Sequence, residues 1–149
     1  MTPQVVKLDW TTDDVLHLPR LIELESVFGA DAFNPDVLAK SLHQSTHIVA
    51  VMQDQKIVCY TATDQSEPSL PGQYIWQMVT DPAYRGQGFA TRALYELIDT
   101  GEPLHLHVRE DNEAALGLYL DVGFRIHSTV QDYYADGTSA LHLTRPILN

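Results

Sequence analysis

The chain has 149 residues, 44% of them hydrophobic and 19% charged, a balance suited to one packed soluble domain with a single core. Its formal net charge of −11 argues against nucleic acid, whose phosphates demand a basic face; it mildly favours cationic substrates such as amines, with solubility the simpler explanation. A lone cysteine, Cys59, excludes a disulfide framework and a cysteine metal cluster.

The N-terminal "MTPQVVKLDW" has no long apolar core of the signal-peptide kind. No stretch approaches the roughly 20 apolar residues of a membrane span, so a cytoplasmic protein without membrane contact is expected. "VVKLDW" alternates and predicts a first strand. Thr11 to Asp14 offer helix-start chemistry, and Pro19 begins or kinks the helix that follows. Leu21, Leu24, Val27 and Phe28 recur there at helical spacing until Gly29. "NPDVLAKSLHQ" predicts a second helix, with Asn34 as cap and Pro35 at the first helical position.

"HIVAVMQ" and "KIVCYTAT" are rich in branched residues and predict a hairpin turning near Asp54 and Gln55. Cys59 falls in the second of them as a small buried hydrophobe. A polar loop, "DQSEPSLPG", leads to the strand "QYIWQMVTD". A helix follows to about Thr100, where Gly101 and Pro103 stop it. "LHLHVR" predicts a strand, "DNEAALGLYLDVG" a helix, and "FRIHSTVQDYY" and "TSALHLTRPI" two strands joined by the turn "ADG". The order βααβββαβαββ predicts one α/β (mixed α+β) domain over residues 1–149. Its centre is a mixed, mostly antiparallel sheet of about seven strands with helices on both faces.

"DPAYRGQGFATRAL", residues 81–94, joins a strand to a helix whose Ala90, Ala93, Leu94, Leu97 and Ile98 form one buried face. Free backbone N–H groups and the helix dipole favour an anion at such an entrance. Gly86 and Gly88 can adopt positive φ and leave room for phosphate oxygens, and Arg85 and Arg92 add positive charge. A plain strand-to-helix turn without ligand is the alternative. No lysine follows as in Walker A, and Thr91 stands where a dinucleotide fingerprint has its third glycine.

Arg85-x-x-Gly88-x-Ala90 resembles the Arg/Gln-x-x-Gly-x-Gly/Ala signature of the Gcn5-related N-acetyltransferase (GNAT) family. Downstream, Asn112, Ala115, Leu118, Tyr119, Gly123 and Phe124 resemble that family's Asn-x-x-Ala-x-x-Leu-Tyr-x-x-x-Gly-Phe pattern, above all in its ribosomal-protein alanine N-acetyltransferase branch. The resemblance covers roughly residues 46 to 145. It implies the GNAT fold and acetyl coenzyme A as co-substrate, with no metal. It also implies that backbone groups from Arg85, Gly86, Gln87, Gly88, Phe89, Ala90 and Thr91 hold the pyrophosphate. Met78, Val79 and Thr80 would pair with the pantetheine arm through their backbone, as an added strand does. The strand carrying them would then splay from its neighbour.

Tyr119, a phenol protonated at neutral pH, is implied to return a proton to the leaving thiolate; on position alone it is a half-buried core aromatic. Asn112 either bonds the cofactor or acceptor or caps its helix. Where the resembling enzymes carry a glutamate, this chain has His107. Histidine is a plausible replacement base near neutral pH, a hydrogen-bonding sheet residue, or a wall of the acceptor site. His105 shares its face; a His105/His107 metal pair lacks a third ligand at a recognisable spacing. Gln77 can orient a water but cannot act as a base. Tyr133 and Tyr134 resemble a pair that shapes the peptide site, and strand alternation would send only one of them to the cleft. The expected acceptor is a small-molecule amine or a peptide N-terminus. A non-catalytic acyl-coenzyme A sensor is the alternative, and a homodimer is the commonest soluble assembly.

Overall fold

The computed structural model describes residues 2–11, 13–65 and 70–146. Its strands are β1 (Gln4–Lys7), β2 (His47–Gln53), β3 (Lys56–Asp64), β4 (Gln73–Thr80), β5 (Leu104–Arg109), β6 (Arg125–Val130) and β7 (Ala140–Arg145). The helices are α1 (Leu18–Glu25), α2 (Pro35–His43), α3 (Phe89–Ile98) and α4 (Glu113–Asp121). The seven strands form one sheet in the order β1-β2-β3-β4-β5-β7-β6. Only β4 and β5 run parallel, and α3 makes the crossover between them, as parallel neighbours require. The expected element order, strand number and mixed sheet are all found.

The alternating side chains of the sheet feed two cores. Val49 and Val51 of β2 and Cys59 of β3 meet Ala93, Leu94 and Leu97 of α3 and Tyr119 of α4 on one face. Ile48, Ala50, Tyr60 and Ala62 meet Leu21 and Leu24 of α1 and Leu38 and Leu42 of α2 on the other. Full burial of each such leucine contributes about 1.5–3 kcal/mol. The β2–β3 hairpin turns on Asp54 and Gln55, both at positive φ (54° and 64°).

Three local expectations need correction. The first helix stops at Glu25, and Ser26–Asp31, which holds Val27 and Phe28, is a tighter 3-10 turn broken by Gly29 at φ 55°, ψ −120°. Asp13–His17 is also 3-10 rather than α, and Thr12 lies outside the described residues. The strand expected to reach Tyr134 ends at Val130. Residues 131–139 form a loop instead of a short "ADG" hairpin, with Asp132 (φ 54°) and Gly137 (φ 85°) in the left-handed region. Of the "DQSEPSLPG" loop, residues 66–69 are outside the described set, as is Ile147 of the last predicted strand.

Arg20 of α1 ties the helix layer to the turn that enters the glycine segment. It donates to the Ile57 carbonyl at 2.8 Å and pairs with Asp81 at 2.6 Å. The Arg20 bond, and then the Ala83 N–H, hold the Asp81 carboxyl below its ordinary range. A depressed carboxyl pKa contributes stability that is present above the unfolded value and lost as pH falls through the folded one. The Asp81→Asn variant should therefore melt below wild type at neutral pH. The gap should close on acidification through the carboxylate range; a pH-independent gap would refute the linkage.

Candidate active site

The β4–β5 pairing ends after Ile75↔Leu106. Beyond it the β3–β4 register skips Trp76, from Thr63↔Ile75 to Ala62↔Gln77. Such a bulge bends its strand, and from Trp76 onward β4 has no pairing to β5 among the described residues. The Asp81 N–H donates to the Val58 carbonyl at 2.8 Å, so Asp81 faces β3. Alternation turns the Val79 N–H the same way and the Met78 and Thr80 N–H groups toward the opening between β4 and β5. The splay expected of this strand is present.

A cavity of about 870 Å³ continues from this opening to the glycine turn. Met78 to Thr80, Arg85, Gly86 and the segment from Gly88 to Thr91 border it, together with Asn112 and Tyr119. Gln87 is exposed and does not border it; nor does Arg92. Gly86 and Gly88 stand at φ 77° and 80°, where a side chain is strained. Asn34 caps α2 and Asn112 caps α4 through their side chains, whereas Gly88 caps α3 with none. The first N–H groups of α3 are thus directed at the cavity without a side-chain partner, which suits an anionic group such as a pyrophosphate. An open strand edge plus this turn fits the extended arm and the phosphates of coenzyme A.

A second cavity, of about 390 Å³, is bordered by residues of both β4 and β5. Glu25, Phe33, Trp76, His107, Tyr133 and Tyr134 are among its walls. Met78, Asn112 and Tyr119 are among the residues that border both cavities, so the two adjoin beside Met78. Tyr119 is buried against Phe124. Burial, then the neighbouring Cys59 and Tyr134, pushes its phenol well above the ordinary value, and it stays protonated at neutral pH. Asn112 does cap its helix, its Oδ1 accepting the Ala115 N–H at 3.1 Å. Any contact with a ligand therefore falls to its side-chain N–H groups.

His107 is held on three sides. Its Nδ1 lies 2.7 Å from the Tyr74 hydroxyl, and its ring stacks on Tyr133 (4.7 Å) and on His142 (4.6 Å). His105 is buried and hydrogen-bonds His142 through Nδ1 at 3.1 Å. Among the described residues no group of three or more His, Cys, Asp or Glu is placed to hold a metal. Both Tyr133 and Tyr134 reach the cavity, against the expectation that one would pack elsewhere. They sit in a loop, so strand alternation does not apply, and their rings meet edge to face at 5.0 Å.

Two participants carry no sequence motif. Glu25 is 3% exposed and accepts from the Gln77 side-chain amide at 2.7 Å and from the Phe33 N–H at 3.0 Å. Burial raises its carboxyl pKa, and the two donors pull it back. Arg109 gathers Asp31 (2.7 Å), Asp111 (3.2 Å) and Asp136, with its guanidinium 4.8 Å from the Tyr134 ring centre. The Thr138 N–H and then Arg109 depress Asp136 to about 2. Arg109 thereby joins the turn after α1 to the β6–β7 loop, two segments that flank the second cavity. No motif announces these contacts, because Gln77 lies 52 residues from Glu25, and Asp31 and Asp136 lie 78 and 27 residues from Arg109.

The sequence model of the acetyltransferase (GNAT) family matches residues 12–124. The chain belongs to this family. Its sequence is 32% identical over 129 residues to the N-alpha-acetyltransferase RimI of Mycobacterium tuberculosis, covering 83% of this chain and 82% of that one. The structure resembles the ribosomal-protein-S18-alanine N-acetyltransferase of Escherichia coli with a TM-score of 0.82 and 25% identity, over 99% of this chain and 96% of that one. Naa50 of Arabidopsis thaliana, solved with the bisubstrate analogue CoA-Ac-MVNAL, has the same fold (TM-score 0.79, 20% identity, 97% and 99% coverage). This GNAT protein is an acetyl-coenzyme-A-dependent N-acetyltransferase acting on an amine. Among its described residues no helix is long and apolar enough to cross a membrane.

Proposed function

We propose that this acetyltransferase modifies the α-amine of a peptide in a ternary complex, with His107 and Tyr119 on either side of the transfer. The meeting of both cavities at Met78 and Tyr119 carries this reading. It lets a thioester arriving along β4 face an amine arriving from the aromatic cavity. The relative in M. tuberculosis is named an N-alpha-acetyltransferase, and the cavity's aromatic walls suit a peptide's first side chain. An α-amine, with an ordinary pKa of about 8, also sheds its proton far more readily than a lysine near 10.4.

The residues of this chain divide the work as follows. The Met78 and Thr80 backbone groups that face the opening pair with the pantetheine arm, while Val79 stays bonded toward β3, and N–H groups from Arg85 to Thr91 hold the pyrophosphate. The amine nitrogen bonds to the thioester carbon, and the Met78 N–H steadies the charge that develops on the oxygen. His107 takes the amine's proton, directly or through a water. With Nδ1–H donated to the Tyr74 oxygen, Nε2 is the basic nitrogen; in the opposite tautomer the Nδ1 lone pair is engaged by the Tyr74 O–H. As the carbon–sulfur bond breaks, Tyr119 donates its hydroxyl to the departing sulfur. Its phenol holds a proton more tightly than an ordinary thiol at about 8.5, so Tyr119 keeps its proton and steadies the thiolate through a hydrogen bond.

A panel of peptides and small amines, followed by release of the coenzyme A thiol, tests the acceptor. Peptides should be turned over faster than polyamines or free amino acids; the reverse ranking would overturn the peptide reading. His107→Gln should lower kcat/KM about 10- to 100-fold at neutral pH and flatten the acidic limb of the rate profile. If that limb persists unchanged in the variant, His107 is a wall of the site and not its base.

A further inference from the structure

The Met78 N–H that faces the cleft already has a partner. It donates to the side-chain oxygen of its own neighbour, Gln77, at 3.0 Å. The same amide donates through Nε2 to Glu25 at 2.7 Å, and the other Glu25 oxygen accepts the Phe33 N–H at 3.0 Å. Gln77 and Glu25 are both buried, at 7% and 3% exposure. Only one orientation of the amide satisfies both ends of this chain, because the carboxylate can only accept and the backbone N–H can only donate. The bulge at Trp76 puts Gln77 on the acceptor side of the sheet and Met78 at the junction of the cavities. A carbonyl oxygen supplied by the protein therefore occupies the donor that a thioester oxygen would need.

We propose that Gln77 is an acyl-sensing placeholder. Its Oε1 keeps the Met78 N–H aligned and dry until a thioester oxygen displaces it, and Glu25 relays the exchange to the Phe33 backbone beside the acceptor cavity. Gln77 is thus a positioning residue, acting through the Met78 donor on one side and the acceptor wall on the other. Acetyl coenzyme A has to displace the amide, whereas coenzyme A, which has no acyl oxygen, leaves it in place. The placeholder narrows the affinity difference between the two and makes the acceptor wall respond to the acyl group itself. Preformed alignment of the donor is the condition under which such a group stabilises developing charge most effectively.

This inference rests on the acetyltransferase reading, and the test separates the two. Calorimetric titration of wild type and Gln77→Leu with acetyl coenzyme A and with coenzyme A reads the competition. The variant should bind acetyl coenzyme A about 3- to 10-fold more tightly, the worth of one hydrogen bond no longer displaced, with coenzyme A within about twofold. Equal changes for both ligands, or weaker binding of acetyl coenzyme A alone, would overturn the placeholder. Binding of neither ligand to wild type would overturn the site assignment beneath it.

Gln77→Leu leaves the Glu25 carboxylate without one donor and could misfold, so a measurement on wild type stands beside it. The amide resonances of Met78 and Phe33 should both move on saturation with acetyl coenzyme A and hold still with coenzyme A. Matching movement with both ligands, or a Met78 resonance that responds to neither, would refute the exchange.

Discussion

Tyr119→Phe is expected to lower kcat by about 100- to 1,000-fold, the range of a lost acid or oxyanion-type hydrogen bond, while acetyl coenzyme A binds nearly as in wild type. The ring packs on Phe124 in the first core, and Phe preserves that packing. Only the hydroxyl at the junction of the cavities is removed. Burial keeps this phenol protonated, so the loss should persist across neutral pH and not follow a titration. Paired measurement of kcat and of the acetyl coenzyme A dissociation constant decides the matter. Equal losses in both would make Tyr119 a wall of the cofactor cleft and end its role in the transfer.

The second large effect is expected at Gly88. This residue enters α3 at φ 80°, and a Cβ there would meet nothing within 4 Å. The demand is one of backbone conformation and not of space. Valine is strained in that region by about 1–3 kcal/mol. The turn would relieve the strain by rotating, which takes the first α3 N–H groups off the phosphates. Gly88→Val should weaken acetyl coenzyme A and coenzyme A alike by about 100-fold, or about 2.7 kcal/mol. Calorimetry with both ligands checks it. Near-normal affinity in a folded Gly88→Val protein would show that the pyrophosphate is held elsewhere. The two variants thus separate chemistry from cofactor capture.

Much of the fold was legible because its signals are local. The α3 face, the Asn34 and Asn112 caps and the turn at Asp54 and Gln55 all depend on neighbours within a few residues. The first errors arose where helical spacing continued through a change of helix type at Ser26–Asp31; Val27 and Phe28 still reach the core, so the pattern did not reveal the kink. The second arose at Tyr133 and Tyr134. Their aromatic, strand-like composition extended the strand past Val130, but Asp132 turns the chain at positive φ and frees both rings for the cavity.

The amino-acid sequence alone determined the order of elements, the glycine turn from Arg85 to Thr91, and the helix that carries Asn112 and Tyr119. Each is a pattern of short range, and the spacing of the two motifs pointed to one family. Tertiary structure alone decided which side chains meet around the cavities. Gln77 and Glu25 are 52 residues apart, and Arg109 and Asp31 are 78. Such partners are chosen by how the sheet splays and which loops close over it. The physical reason is that backbone preference acts over a turn or a strand, whereas a buried carboxylate or guanidinium is satisfied by whatever donor or acceptor the folded layers bring beside it.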